Sequence, residues 1–435
     1  MKKSVQNFIR FISASPSAFH AVQSLCDMLD AKGFARLDEH KPFAVVPGGK
    51  YYVTRNRSSV IAFAIPEGGL SHFQIAASHS DSPTFKLKPF SEEVVCSKYL
   101  RLNVERYGGM IMSTWFDRPL SIAGRAVVRE GGRLVTRLVD LGRDAVLIPN
   151  MPIHFNREVN DGYKYNAQVD LLPLFGGADA KGALAAQVAE ACGAQAQDIV
   201  GYDLFLYNRM PGSVWGAQNE FFSCPRIDDL ECAYASAEAF LAAVPQGHVN
   251  VLAVFDNEEV GSGTKQGADS SFLADVLSRA CAALGMDESA QRAAFSASFM
   301  VSADNAHAVH PNHPEKYDAD NRTFMNGGVV IKHNANQKYT TDAVSCAIFS
   351  QICSAAGVPV QQFSNRSDVL GGSTLGNIAN AHLSMNTVDI GLAQLAMHSA
   401  YETAGCEDLD HMIRALTAFY NAQIETCADG EYLLG

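Results

Sequence analysis

Apolar residues at Phe19, Val22, Leu25 and Leu29 recur at helical spacing, and Gly33 is placed to end the helix they predict over 17–33. The period then changes. Residues 51–54 and 60–65 read as strands, and 73–78 is an apolar run that stops at His79-Ser80-Asp81-Ser82-Pro83. A short apolar run bounded by turn residues predicts a buried strand. From about Glu92 to Gly201, short β-rich runs such as 122–128 and 134–139 are separated by Gly-Gly or Gly-Arg turns, with no helical period until 180–192. After Gly201 strands and helices alternate again. Val249–Phe255 predicts a strand entering Asp256-Asn257-Glu258-Glu259, and 295–302 another entering Asp304-Asn305. Residues 329–331 form a short apolar run, 342–356 a helix, and 385–390 a late strand before the loop that holds His398. The pattern predicts an α/β sheet built from residues 1–91 and 202–435, interrupted by a β-rich insertion at 92–201. Chemistry in open α/β sheets gathers outside the carboxyl ends of the strands, where His79, Glu258, Glu259 and Asp304 all fall.

Composition narrows the picture. A chain of 435 residues exceeds what a single core usually supports. A net charge of −12 argues against an extended nucleic-acid footprint, and no basic run is interleaved with aromatics. The ten cysteines are scattered from Cys26 to Cys427 without a C-x-x-C pair, the pattern of reduced thiols in a cytosolic protein. Gln6, Asn7 and Arg10 interrupt any apolar leader segment, and no stretch approaches the roughly 20 apolar residues that span a bilayer. These features predict a soluble, cytoplasmic protein without a membrane partner.

A hydrolytic two-metal site needs about three His or carboxylate ligands per ion, one bridging carboxylate, and a separate carboxylate to take the proton of the attacking water. An adjacent Glu-Glu pair at a strand end is one way of supplying a ligand and a base. His79 offers an imidazole with Asp81 two residues on, although His-x-Asp alone reads equally as structural. One of Asp228 and Asp229 N-caps the apolar helix that follows, or Asp228 bridges two ions. Asp256, Glu258 and Glu259 repel one another at the end of an apolar strand unless a cation is near; the other reading is a solvated acidic turn. Asp304 follows another strand, and His398 offers a second imidazole. His310 and His313, in His-Pro-Asn-His-Pro, read as loop residues.

At these residues the chain resembles the aspartyl aminopeptidase family of dinuclear zinc metallopeptidases, over nearly its full length. The motifs are His-Ser-Asp-Ser-Pro at 79–83, Arg-Ile-Asp-Asp-Leu at 226–230, Asp-Asn-Glu-Glu-Val-Gly-Ser at 256–262, Ser-Ala-Asp-Asn-Ala-His at 302–307 and Ala-Met-His-Ser at 396–399. The resemblance implies a three-layer α/β/α metallopeptidase domain whose insertion serves as a dimerisation or lid domain. It implies two zinc ions per subunit, with manganese or cobalt as substitutes. One ion would be held by His79, Asp228 and Glu259, the other by Asp228, Asp304 and His398. Glu258 would be the general base and Asp81 the partner of His79. Lys332 would meet the acidic side chain of a peptide's N-terminal Asp or Glu, near Gly372 and Ser373 of the glycine-rich segment. His154 would reach a neighbouring subunit's active site, within homodimers assembled into a tetrahedral homododecamer. Lys338 stands where relatives often have arginine, keeping the charge but losing the planar fork. Two alternatives remain at this stage. One is the same chemistry with a neutral, leucine-like preference. The other is a non-catalytic, metal-stabilised peptide-binding assembly, against which the presence of Glu258 argues.

Overall fold

The computed structural model describes residues 2–435. Its largest sheet has nine strands in the spatial order Ala35–Arg36, Lys50–Arg55, Ser59–Ala64, Val249–Phe255, Phe73–His79, Phe299–Ala303, Asn386–Gly391, Val329–His333 and Val360–Ser364. The four middle strands, from Val249–Phe255 to Asn386–Gly391, run parallel. Parallel strands need both faces covered, and their two-residue period divides the side chains accordingly. Leu252, Val254, Ala76, Val301 and Val388 point into one core with the helices Lys3–Ala14, Ala18–Ala31, Ile227–Ala242, Ala343–Ala355 and Asp408–Asn421. Val251, Ala253, Ile75, Ala77 and Met300 point into the other, against Phe272–Ala283, Glu288–Ser296 and Leu375–His382. The result is the three-layer α/β/α arrangement.

A six-stranded antiparallel sheet has its own core, centred on Phe85, Leu102, Ile122 and Leu204. It runs from Thr84–Val95 through Tyr99–Tyr107, Leu120–Glu130, Arg133–Asp140 and Leu174–Gly177 to Ile199–Asn208, so its first and last strands extend beyond 92–201 at both ends. A third, five-stranded sheet joins Ser213–Trp215, Phe221–Cys224, Glu402–Gly405, Ala393–Leu395 and Ala306–His307. Its strands include His307 and lead in the chain to Asp228, after Phe221–Cys224, and to His398, after Ala393–Leu395.

Two local expectations change. Residues expected as a strand from 295 belong in part to the helix Glu288–Ser296, capped by the Asp287 carboxylate on the Ala290 N–H at 2.8 Å. Phe295 packs on Phe73 from that helix, ring centroids 5.7 Å apart, and the strand begins at Phe299. A short apolar run carries no period that separates the two states. The amino-terminal segment, read only for the absence of a leader, forms the amphipathic helix Lys3–Ala14, which buries Val5, Phe8, Phe11 and Ile12 on one face. No helix among the described residues is long and apolar enough to cross a membrane.

Candidate metal centre

The strand Phe73–His79 is fully buried and delivers His79 at its carboxyl end. There the imidazole Nδ1 lies 3.1 Å from the Asp81 carbonyl oxygen, an arrangement that leaves Nε2 for another partner. Nε2 lies 3.5 Å from Asp228 Oδ1 and 3.7 Å from Asp304 Oδ1. Asp228 opens the helix Ile227–Ala242 with non-helical backbone angles, so neither it nor Asp229 is a simple cap. Asp229 is buried, and its Oδ2 accepts the His79 N–H at 3.0 Å. Asp304 follows the strand Phe299–Ala303.

On the other side of Asp228, His398 Nε2 lies 3.3 Å from Asp228 Oδ2 and 3.5 Å from Glu259 Oε2. Glu402 ties the two chain segments together, accepting the His398 N–H at 2.7 Å and the Asp228 N–H at 3.1 Å. Ligand-capable atoms therefore gather as His79, Asp228, Asp229 and Asp304, as Asp228, Glu259 and His398, and as His79, Glu258 and Glu259. Asp228 belongs to both of the first two groups. This differs in part from the pairing expected above: His79 has Asp304 beside it as well as Glu259, and His398 lies with Glu259. Phe73–His79 lies between Val249–Phe255 and Phe299–Ala303 in the sheet, so His79 meets residues from both strand ends.

The electrostatics are those of a site short of positive charge. Burial, with the Asp228 charge next, pushes the Glu259 pKa well up. Burial lifts Glu258 to about 7, with Asp304, Asp81 and Asp228 adding to the shift and His79 opposing it. Burial works against His398, yet its hydrogen bond and charge contact with Asp228 raise it to about 9. His79 is likewise raised against burial, by Asp229 first. In this state protons on imidazole and carboxyl groups stand where a cation would. Asp228 Oδ1, Asp229 Oδ1 and Glu259 Oε1 are buried without a hydrogen-bond partner. Buried orphaned carboxylate oxygens facing an imidazole are the donor set a divalent ion takes.

The remaining expected residues are placed as follows. Asp81 is buried and accepts the Glu258 N–H at 3.1 Å and the Glu259 N–H at 3.2 Å. Lys332 is 2% exposed and directs Nζ at the Asp304 carbonyl, the Asp304 carboxylate and the Asn305 carbonyl, at 2.8, 3.3 and 3.3 Å. Its ammonium is thus committed within the wall of the site. Gly372 and Ser373 are exposed, and Ser373 Oγ donates to Asn377 Oδ1 at 3.0 Å. His154 is exposed on a loop and belongs to none of the ligand groups. His310 and His313 face one another at 5.1 Å, also outside them.

Sequence reasoning missed Glu402, which orients two site residues, and Tyr107, whose hydroxyl donates to Asp81 Oδ2 at 2.7 Å. No local motif marks either. Asp229 and His307 stood inside quoted motifs without a role. His307 faces the charges of Asp228 and Asp304, its own charge disfavoured by desolvation and Lys332.

The profile of the aminopeptidase I zinc metalloprotease family, M18, matches residues 11–420. That family includes aspartyl aminopeptidase, the resemblance drawn from the motifs. A probable M18 family aminopeptidase 2 of Clostridium acetobutylicum is 46% identical, covering 96% of this chain and 98% of its own. Among solved structures, Ape4 in its complex with Nbr1 is 35% identical with a TM-score of 0.93, over 96% of this chain and 85% of that one. The yeast mApe1 dodecamer is 27% identical with a TM-score of 0.86, over 96% of each chain.

Proposed function

Because the chain belongs to the M18 family of zinc metalloprotease aminopeptidases, we propose that it is a two-ion enzyme that removes acidic residues from peptide N-termini. One observation carries the two-ion reading. Asp228 offers one carboxylate oxygen to His79 and the other to His398, so the two ligand groups share a single bridging side chain. His79, Asp228 and Asp304 would hold one ion; Asp228, Glu259 and His398 the other. Bound ions supply a water of lowered pKa and an electrophile for the scissile carbonyl. Zinc suits the mixture of imidazole and carboxylate donors, and manganese or cobalt would also fit it.

The chain's own groups do the rest. Glu258 precedes the ligand Glu259, stands outside the Asp228–Glu259–His398 group but beside His79, and would take a proton from the attacking water and return it to the leaving amine. Asp81 fixes the turn that carries it through two backbone N–H groups. Lys332 supports the acidic preference as a cation in the wall of the site, and Gly372 and Ser373 would lie near the substrate. The commitment of its ammonium to Asp304 and Asn305 favours a second reading, the same chemistry with a neutral, leucine-like preference.

The six-stranded sheet, expected as the inserted domain 92–201, would mediate dimerisation, and dimers would build a homododecamer like that of yeast mApe1. Its loop exposes Ile153 and Phe155, at 48% and 83%, on either side of His154, a surface suited to a neighbouring subunit's cleft. A cytoplasmic location completes the proposal.

Turnover of Asp-, Glu- and Leu-terminated dipeptides, with metal analysis of the same sample, tests it. The expected result is two ions per chain and faster turnover of the acidic substrates. Faster turnover of the Leu substrate selects the second reading, and one ion or none removes the two-ion mechanism.

A further inference from the structure

The strand Tyr99–Tyr107 belongs to the six-stranded sheet, and the five residues from Tyr107 to Ile111 carry the chain from it across the metal centre. Each contact there is specific. Tyr107 Oη donates to Asp81 Oδ2 at 2.7 Å and accepts from Asn257 Nδ2 at 2.7 Å. Asn257 immediately precedes the Glu258–Glu259 pair, and Asp81 holds the N–H groups of both glutamates. Gly108 has φ +75°, and a Cβ placed on it would stand 3.1 Å from Glu259 Cβ and 3.3 Å from Glu259 O. The Ile111 N–H donates to the His398 carbonyl at 3.0 Å.

We propose that residues 107–111 are a positioning strap, with Tyr107 its principal residue, by which the six-stranded sheet sets the base-bearing turn and the Glu259–His398 half of the metal centre. The proposal rests on the two-ion reading above. The strap touches Glu259 and His398 directly, whereas the contacts just described reach neither Asp304 nor Asp228. It therefore predicts an asymmetry between the two ions. Groups that orient metal ligands are typically worth about 10–100-fold in metal affinity or activity. Tyr107 also lines a cavity of about 480 Å³ together with Asp81, Asn257, Phe205 and Arg226. Its ring packs edge-on against Phe205, centroids 5.6 Å apart, and the hydroxyl's two hydrogen bonds aim it at Asp81 and Asn257.

Tyr107→Phe changes no backbone angle and tests the strap in the zinc-loaded enzyme. The expected result is a fall of about tenfold in kcat with KM changed less than twofold. In an Asp81→Asn background, the same substitution should add less than twofold, because its effect passes through that carboxylate. Zinc affinities of the two sites, measured by competition with a chromogenic chelator, supply a readout independent of turnover. Gly108→Ala should weaken one zinc at least tenfold and leave the other unchanged. Should Gly108→Ala fail to fold, Tyr107→Phe and its double mutant decide alone. An unchanged kcat, additive effects with Asp81→Asn, or equal weakening of both zincs overturns the strap. If the native protein binds fewer than two zincs, the two-ion reading falls and the strap falls with it. If it binds two and Tyr107→Phe alters nothing, only the strap is lost.

Discussion

The metal centre and the loop around His154 are opposites in construction. Every group of the centre is held from several elements of its own chain: Asp81 meets two N–H groups and a tyrosine, and Glu402 clamps the backbone of both Asp228 and His398. The loop has the reverse character. Met151, Ile153 and Phe155 are exposed at 59%, 48% and 83%, and His154 touches none of the ligand groups. Burial and hydrogen bonds from several elements position the groups of the first region. In the proposed assembly, this exposed apolar loop with its imidazole would gain its contacts from a neighbouring subunit.

The sharpest way to separate the regions is Glu258→Gln. If Glu258 is the base rather than a ligand, turnover falls about 10²–10⁴-fold while metal content is unchanged by elemental analysis. Loss of metal from a folded variant would instead exchange the roles of Glu258 and Glu259. His154→Phe should have a smaller effect, lowering kcat about tenfold in the assembled protein with metal content and oligomeric state preserved in light scattering. An unchanged kcat would mean that the loop serves assembly alone.

The smallest effect concerns stability in the protein stripped of metal. Burial lifts Glu231 and Glu402 to about 8, above the ordinary value near 4.3, so the folded state keeps protons that the unfolded chain releases. For a raised pKa, the stabilising contribution is complete below about pH 4.3 and lost as pH rises through about 8. Thermal melts of the metal-free protein should therefore fall in Tm between pH 5 and 8. The decline should be shallower with zinc bound, because ions then take over part of the charge compensation. A Tm that rises across this range would contradict the assignment of these carboxyls as protonated.

Much of the centre was legible because its residues end apolar runs. Val249–Phe255 is a strand in the sequence pattern and in the structure alike, and it delivers Asp256 through Glu259 to one point. Asp304 was placed beyond a strand even though Phe295 belongs to the preceding helix. Glu402 and Tyr107 were not legible. Each acts across a long sequence separation, Glu402 on Asp228 and Tyr107 on Asp81 and Asn257, and neither belongs to a short motif.

By itself, the sequence determined which side chains could stand at strand ends, because a two-residue alternation and the turn residues that stop it are local properties of the chain. It also carried the motifs that lead to M18. Only the tertiary structure decided how those side chains group. His79 stands between Glu259 and Asp304 because its strand lies between theirs in the sheet, and His398 stands with Glu259 because the loop after Ala393–Leu395 returns over the site and is held by Glu402 and Ile111. Strand order and loop return are long-range choices of packing, and no local pattern encodes them.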